Sequence, residues 1–294
     1  MTNTQHLFTG SIPENYDKYL GPLLFDEYTA DLARRLTVPA GGCVLETAAG
    51  TGIVTRHLRD TLPADVRIVA TDLNEPMLEY AKTKFGPADS VEFQPADALS
   101  LPFPEQAFDA VVCQFGLMFF PDKLRALREA RRVLKPGGTL LFNVWDSLEH
   151  NHLVRTVIET LATLFPTDPP TFFQIPFGYY SLDTIKAVVS EAGFGDIDMA
   201  VLPRESTSPT AHHVALGYVA GTPLSLQLAD RSTPSLADTI LAVEQAVASA
   251  HGSAPVSAKM QALVIQAENP QVGKKGGHDV APDHGHRGPA QPAS

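Results

Sequence analysis

The chain has 294 residues, 44% of them hydrophobic and 19% charged, a balance that excludes a disordered or fibrous protein and fits a folded globular one. Its formal net charge of -11 argues against a general affinity for nucleic acid or for an anionic membrane, because both call for a basic surface.

In chain order, the N-terminus lacks the basic start and apolar run of a signal peptide, and no stretch is apolar for long enough to span a bilayer. Cytoplasmic placement without a membrane span is the expectation. Residues 15–36 carry Leu20, Leu23, Leu24, Tyr28, Leu32 and Leu36 at helical spacing, with Gly21-Pro22 as a point of breakage. Val44 to Thr47 reads as a first strand, Ile53 to Leu62 as a helix, Arg67 to Thr71 as a second strand and Glu75 to Phe85 as a helix with Pro76 in its first turn. Val91 to Gln94 and Ala110 to Gln114 follow as strands, and Asp122 to Leu134 as a helix that Lys135-Pro136-Gly137-Gly138 stops before a fifth strand, Thr139 to Val144. Cys43 and Cys113 are expected inside buried strands and read as small core side chains in a reducing compartment.

Beyond Trp145 the rhythm changes. His152 to Leu164 reads as a helix and 166–180 as a proline- and aromatic-rich loop; Ser181 caps a helix over Leu182 to Ala192 that Gly193 ends. A sixth strand over Ile197 to Leu202, helices over 211–220 and 235–250, and a last strand over Met260 to Ala267 complete the expectation. Strands separated by single helices imply a parallel, doubly wound α/β sheet. The expected organisation is a helical cap over 1–40, a Rossmann-like core over 41–147, and a C-terminal part of the same domain over 148–268 with the aromatic loop and helical insertions. A disordered, Gly-, Pro- and His-rich tail is expected over 269–294. His278, His284 and His286 of that tail are read as solvated rather than as metal ligands.

The chemistry concentrates in Val44-Leu45-Glu46-Thr47-Ala48-Ala49-Gly50-Thr51-Gly52, where a strand ends, small residues turn and a helix begins. Small residues let a ligand approach the backbone, and the helix start leaves N–H groups free. About twenty residues on, Asp72 closes the second strand, where a carboxylate can accept from both hydroxyls of a ribose. Nicotinamide enzymes share that feature, but Glu46 would repel a pyrophosphate, and Thr55 stands where the dinucleotide fingerprint has its third glycine. A cofactor carrying an ammonium and a sulfonium group tolerates Glu46. Asp97-Ala98 after the third strand pairs a carboxylate with a backbone N–H, suited to the amine edge of adenine.

These stretches, together with Phe108-Asp109-Ala110-Val111-Val112 and Arg132-Val133-Leu134-Lys135-Pro136-Gly137-Gly138, resemble the motif series of class I S-adenosylmethionine-dependent methyltransferases. Within that class they look most like the broad ubiquinone/menaquinone-biosynthesis (type 11) group, over about Leu45 to Trp145. The resemblance implies a seven-stranded sheet with the last strand antiparallel and S-adenosyl-L-methionine as cofactor. Glu46, Ala48, Gly50 and Gly52 would hold its methionine part. Asp72 would take the ribose, Leu73 and Met77 would lie near the base, and Asp97 and Ala98 would bind the adenine. Gln114 would lie beside the cofactor and Tyr19 would close over it. Ala48 stands where many members have glycine. No metal is implied. The expected mechanism is direct in-line transfer to a small-molecule acceptor. Phe172, Phe173, Phe177, Tyr179 and Tyr180 are read either as the roof of a pocket for an aromatic or quinone-like acceptor or as packing between the accessory helices. Phe115 and Phe120 are read either as core or as pocket, Met118 as core, and His212 and His213 as decoration of a helix. His150 is a candidate base, or a solvated loop histidine. An NAD(P)-dependent oxidoreductase and a non-catalytic S-adenosylmethionine-binding protein are the alternatives.

Overall fold

The protein is described by a computed structural model over residues 8–229, 231 and 233–271. In chain order the helices are α1 (Ile12–Asn15), a π-helix (Tyr16–Phe25), α2 (Asp26–Arg35), α3 (Ile53–Thr61), α4 (Glu75–Lys82), α5 (Lys123–Val133), α6 (His152–Leu164), α7 (Leu182–Glu191), α8 (Ala211–Ala220), α9 (Leu224–Ala229) and α10 (Leu236–His251). The strands are β1 (Cys43–Thr47), β2 (Arg67–Asp72), β3 (Val91–Pro95), β4 (Phe108–Gln114), β5 (Leu134–Trp145), β6 (Gly195–Ser208) and β7 (Val256–Glu268). They form one seven-stranded sheet of order β3-β2-β1-β4-β5-β7-β6. The first five strands pair in parallel, whereas β7 runs antiparallel to both of its neighbours.

The period of two within each strand sorts the core into two layers. Leu45, Val111, Cys113, Leu140 and Phe142 face one cluster, which takes in α5, α6, α8 and the π-helix. Val44, Ile68, Ala110, Val112 and Leu141 face the other, against Leu32 of α2 and Val54 and Leu58 of α3. Central strands are buried throughout, as a sheet covered on both faces requires, while β3 and β6 at the edges alternate with exposed positions.

Several expectations are corrected. Gly21-Pro22 does not break the first helix; the chain widens into a π-helix there and continues as α2. A proline lacks the N–H that an α-helical turn would use, and the wider turn accommodates it. The final two strands are longer than expected, and α9 lies in the stretch between the helices expected over 211–220 and 235–250, which had no expected element. The KPGG segment bulges within β5, between the pairings Phe108 with Leu134 and Ala110 with Thr139, and Lys135 Nζ lies 2.8 Å from Asp109 Oδ2. Cys113 is buried but Cys43 is only partly so. The packed chain reaches past 268: Asn269 is buried, and its Nδ2 donates to the carbonyls of Leu134 (2.9 Å) and Lys135 (3.2 Å). The remainder of the tail, with His278, His284 and His286, lies outside the described residues. Among the described residues no helix is long and apolar enough to cross a membrane.

Candidate active site

At the C-terminal ends of β1, β2, β3 and β4 lies a cavity of about 480 Å³. That size is within the range of small-molecule sites, and its position is where open α/β sheets bind ligands. The turn after β1 forms its floor. Ala48 (φ 54), Gly50 (φ 57) and Gly52 (φ 78) all adopt left-handed backbone conformations, and Ala49 N–H donates to the Thr71 carbonyl at 2.9 Å. Asp72 locks the turn: Oδ2 accepts from Gly50 N–H at 2.8 Å and Oδ1 from Asn74 N–H at 2.7 Å. Burial pushes the Asp72 carboxyl upward, opposed by those same hydrogen bonds.

Of the expected site residues, Ala48, Gly50, Asp72, Leu73, Met77, Asp97, Ala98 and Gln114 line this cavity together. Asp97 Oδ1 accepts from Leu99 N–H at 2.9 Å, which fixes the loop after β3. Gln114 spans inward, donating to Thr29 Oγ1 at 2.6 Å and accepting from Asn143 Nδ2 at 3.3 Å.

Four expected residues are placed elsewhere. Glu46 shares its strand face with Val44, so its side chain points toward α3, is 1% exposed and accepts from Thr55 Oγ1 at 2.6 Å. Burial holds this carboxyl at about 8. Gly52 is the N-cap of α3, and a Cβ there would meet Ala81 Cβ at 3.0 Å; it brings α3 against α4 and does not line the cavity. Tyr19 lies on the α8 side of the π-helix, its ring 5.4 Å from that of His213. His150 neighbours Lys259 (Nδ1 to Nζ 3.3 Å) and lines neither this cavity nor the smaller one beside it.

Tyr16, absent from the expected set, lines the cavity in Tyr19's stead. It precedes Leu20 by four, so it extends the apolar stripe of the first helix by one turn, a signal present in the sequence. Burial, with the Asp72 charge, holds its phenol well above the usual tyrosine range. Phe115, Phe119 and Phe120 line the same space, and Phe115 has φ 51, a second strained residue in the wall.

A smaller cavity of about 60 Å³ adjoins it and shares Phe8, Tyr16, Phe115 and Phe119 with it. Its further walls are mostly aromatic, with Phe25, Trp145, Phe172, Phe173, Phe177 and Tyr218 beside Leu24, Met118 and Pro176. Trp145 is stacked between Phe115 (centroids 3.9 Å apart) and Phe177 (5.7 Å). Phe172 and Phe173 come from the loop over 166–180, pinned where Thr171 and Phe172 N–H donate to Gln227 Oε1 of α9, each at 3.2 Å. Tyr179 and Tyr180 of that loop line neither cavity, whereas Met118 lines the smaller one while staying buried. His212 and His213 lie on α8, the former 2.7 Å from Glu244.

A family profile described as methyltransferase domain matches residues 45–142. The ubiquinone/menaquinone biosynthesis C-methyltransferase UbiE of Escherichia coli is 31% identical over 188 residues, 60% of this chain and 74% of that protein. The YcgJ protein of Bacillus subtilis superposes with a TM-score of 0.56 at 21% identity, covering 84% of this chain and 100% of that one. Phosphoethanolamine N-methyltransferase 2 of Haemonchus contortus, solved with S-adenosyl-L-methionine, superposes with a TM-score of 0.57 at 18% identity over 91% of this chain and 59% of that one. Fold and sequence together define an S-adenosylmethionine-dependent methyltransferase, not an oxidoreductase. Within that class the chain belongs to the type 11 methyltransferase group that includes the ubiquinone/menaquinone C-methyltransferases, and its cofactor is S-adenosyl-L-methionine.

The cavity residues fit that cofactor on two observations. Asn74 Oδ1 is buried without a hydrogen-bond partner beside Asp72, an acceptor left for a ligand hydroxyl. Gly50 leaves open backbone on the floor, where a Cβ would approach Met77 Cε at 3.6 Å.

Proposed function

We propose that the larger cavity holds S-adenosyl-L-methionine and the aromatic annex holds the ring of a small-molecule methyl acceptor. The supporting observation is the shared wall of Tyr16, Phe115 and Phe119, which puts the acceptor space directly against the cofactor space. Asp72 and Asn74 would bind the ribose hydroxyls, Leu73 and Met77 would flank the base, and Asp97 with the Ala98 N–H would read the adenine edge. The Ala48 to Gly50 backbone would receive the methionine end, with Gln114 alongside. The cofactor supplies an electrophilic methyl group, so no covalent bond to the protein is required. The chain's own work is then to hold the acceptor's nucleophilic atom in line and to keep water out.

The annex does this by packing flat rings against a flat acceptor, which suits stacked and edge-on aromatic contacts. Tyr16, held as a phenol, stands at the junction as a hydrogen-bond donor for an acceptor oxygen. Acceptor screening with labelled cofactor tests the reading. Hydroxylated aromatic compounds should turn over, and Phe177→Ala should raise their KM by about tenfold or more while leaving cofactor affinity unchanged; turnover confined to protein, RNA or DNA would refute it.

A further inference from the structure

Glu46 is a carboxylic acid in a place that offers it almost nothing. It is 1% exposed, accepts one hydrogen bond, from Thr55 Oγ1 of α3, and makes no ion pair among the described residues. The groups facing it do not compensate. From β2 comes Asp72, a second acid; the Cys113 thiol of β4 lies on the opposite face of the sheet and is itself pushed up to about 11 chiefly by burial. The cations of α3 are committed elsewhere, Arg56 to Asp60 and Asp89, and Arg59 to the carbonyls of Leu62, Pro63 and Val66. An uncompensated buried charge is so costly that the group keeps its proton instead.

Glu46 nevertheless lies just beneath the floor of the cofactor cavity. Its own carbonyl accepts from Thr71 Oγ1 at 2.9 Å, and both Thr71 and Ala48, two residues along, line the cavity. A cation arriving above this floor supplies the partner the protein lacks. In so dry a setting it acts strongly even without contact.

We propose that Glu46 carries a proton in the free protein and gives it up when the cationic cofactor binds, so that cofactor binding is coupled to proton release. This rests on the cofactor reading given above. The proton passes to solvent, and the carboxylate left behind is neutralised by the ligand's positive charge. Because the free carboxyl is held at about 8, binding gains on raising the pH toward that value and weakens on lowering it. The gain approaches tenfold in affinity per pH unit.

The test is calorimetric titration at pH 6.5 in two buffers of different ionisation enthalpy, with S-adenosylmethionine and with 5′-methylthioadenosine, which lacks both cationic groups. At that pH the ligand's own ammonium stays charged. Release of about half a proton or more is expected with S-adenosylmethionine and none with 5′-methylthioadenosine. Glu46→Gln, which keeps an acceptor for Thr55, should bind without proton release and lose the pH dependence of the wild type between pH 6 and 7. Should that variant not fold, the protonated carboxyl band of Glu46 in the wild type, followed by infrared difference spectroscopy, must disappear on adding S-adenosylmethionine. Binding of S-adenosylmethionine without proton release, or equal release with both nucleosides, overturns the proposal alone. Failure of both nucleosides to bind overturns the cofactor reading itself.

Discussion

Gly116 and Ala48 form a pair whose steric fit is open to a quantitative check. The chain leaves β4 past the turn that follows β1, and a Cβ built on Gly116 would stand 2.5 Å from Ala48 Cβ and 2.8 Å from Cys113 Sγ. Carbon atoms pack best at about 3.5–4.0 Å, so the first overlap exceeds about 1 Å. Gly116 itself has φ -100 and ψ -44, which any residue adopts, so Gly116→Ala has no conformational penalty and its whole cost is overpacking. Neither neighbour can swing away, since a Cβ has no rotamer and the thiol is buried. We expect a loss of about 3 kcal/mol, the upper end for inserting a methyl group. Ala48→Gly alone should be neutral to about 1 kcal/mol stabilising, because it relieves a left-handed alanine. Together the two changes remove the nearer clash but leave the sulfur contact, so about half the loss should return, a coupling of about 1–2 kcal/mol. Urea unfolding of the four proteins measures it. Additivity within about 0.5 kcal/mol, or a Gly116→Ala protein as stable as wild type, would refute the steric account.

Two further expectations concern the C-terminal half. Burial, reinforced by the positive charges of His152 and Arg155, holds His251 below its usual value, and its Nε2 lies 2.9 Å from Thr156 Oγ1. A base depressed on folding contributes stability above its unfolded value of 6.5 and loses it as pH falls below that, so in thermal unfolding scans the Tm of the wild type should fall relative to that of His251→Gln as pH drops below about 6.5; a Tm difference that stays constant with pH refutes the assignment. Asn151 is buried, donates to the carbonyls of Asp146, Ser147 and Gln261, and accepts from Gln261 N–H at 3.1 Å. Asn151→Ala strands these groups and should cost about 2–3 kcal/mol in urea unfolding, with the strand junction at Gln261 becoming exchangeable.

The central parallel strands were legible because they are apolar runs bounded by Gly, Pro and Asp, and the acids that end β2 and follow β3, Asp72 and Asp97, mark the cavity mouth directly. At Glu46 the motif and the strand parity say different things: the motif groups it with the glycines, whereas parity with Val44 puts its side chain on the α3 face. Tyr16 lies on the apolar stripe, four residues before Leu20, and lines the cavity, whereas the π-helix turns Tyr19 against α8. The annex is built by Phe25, Trp145, Phe177 and Tyr218, which are brought together only by tertiary packing and share no local pattern. The lengths of β6 and β7 were underestimated because solvent-facing polar residues interrupt them, as at Asp196, Glu205, Ser257 and Lys259.

The place of β7 also bears on how the molecule is made. The ribosome delivers β1 to β5 in an order that lets each pair with a strand already present, but β6 emerges with no neighbour to join, since β7 stands between it and β5. Its fourteen residues must therefore wait, edge unpaired and prone to self-association, until Val256–Glu268 is synthesised and slots in from both sides. Asn269, fastened to the far end of α5 and β5, is the latch that follows. A chain that stops before Val256 would forfeit two strand pairings at once, and so be expected to aggregate during biosynthesis, before any question of methyl transfer arises.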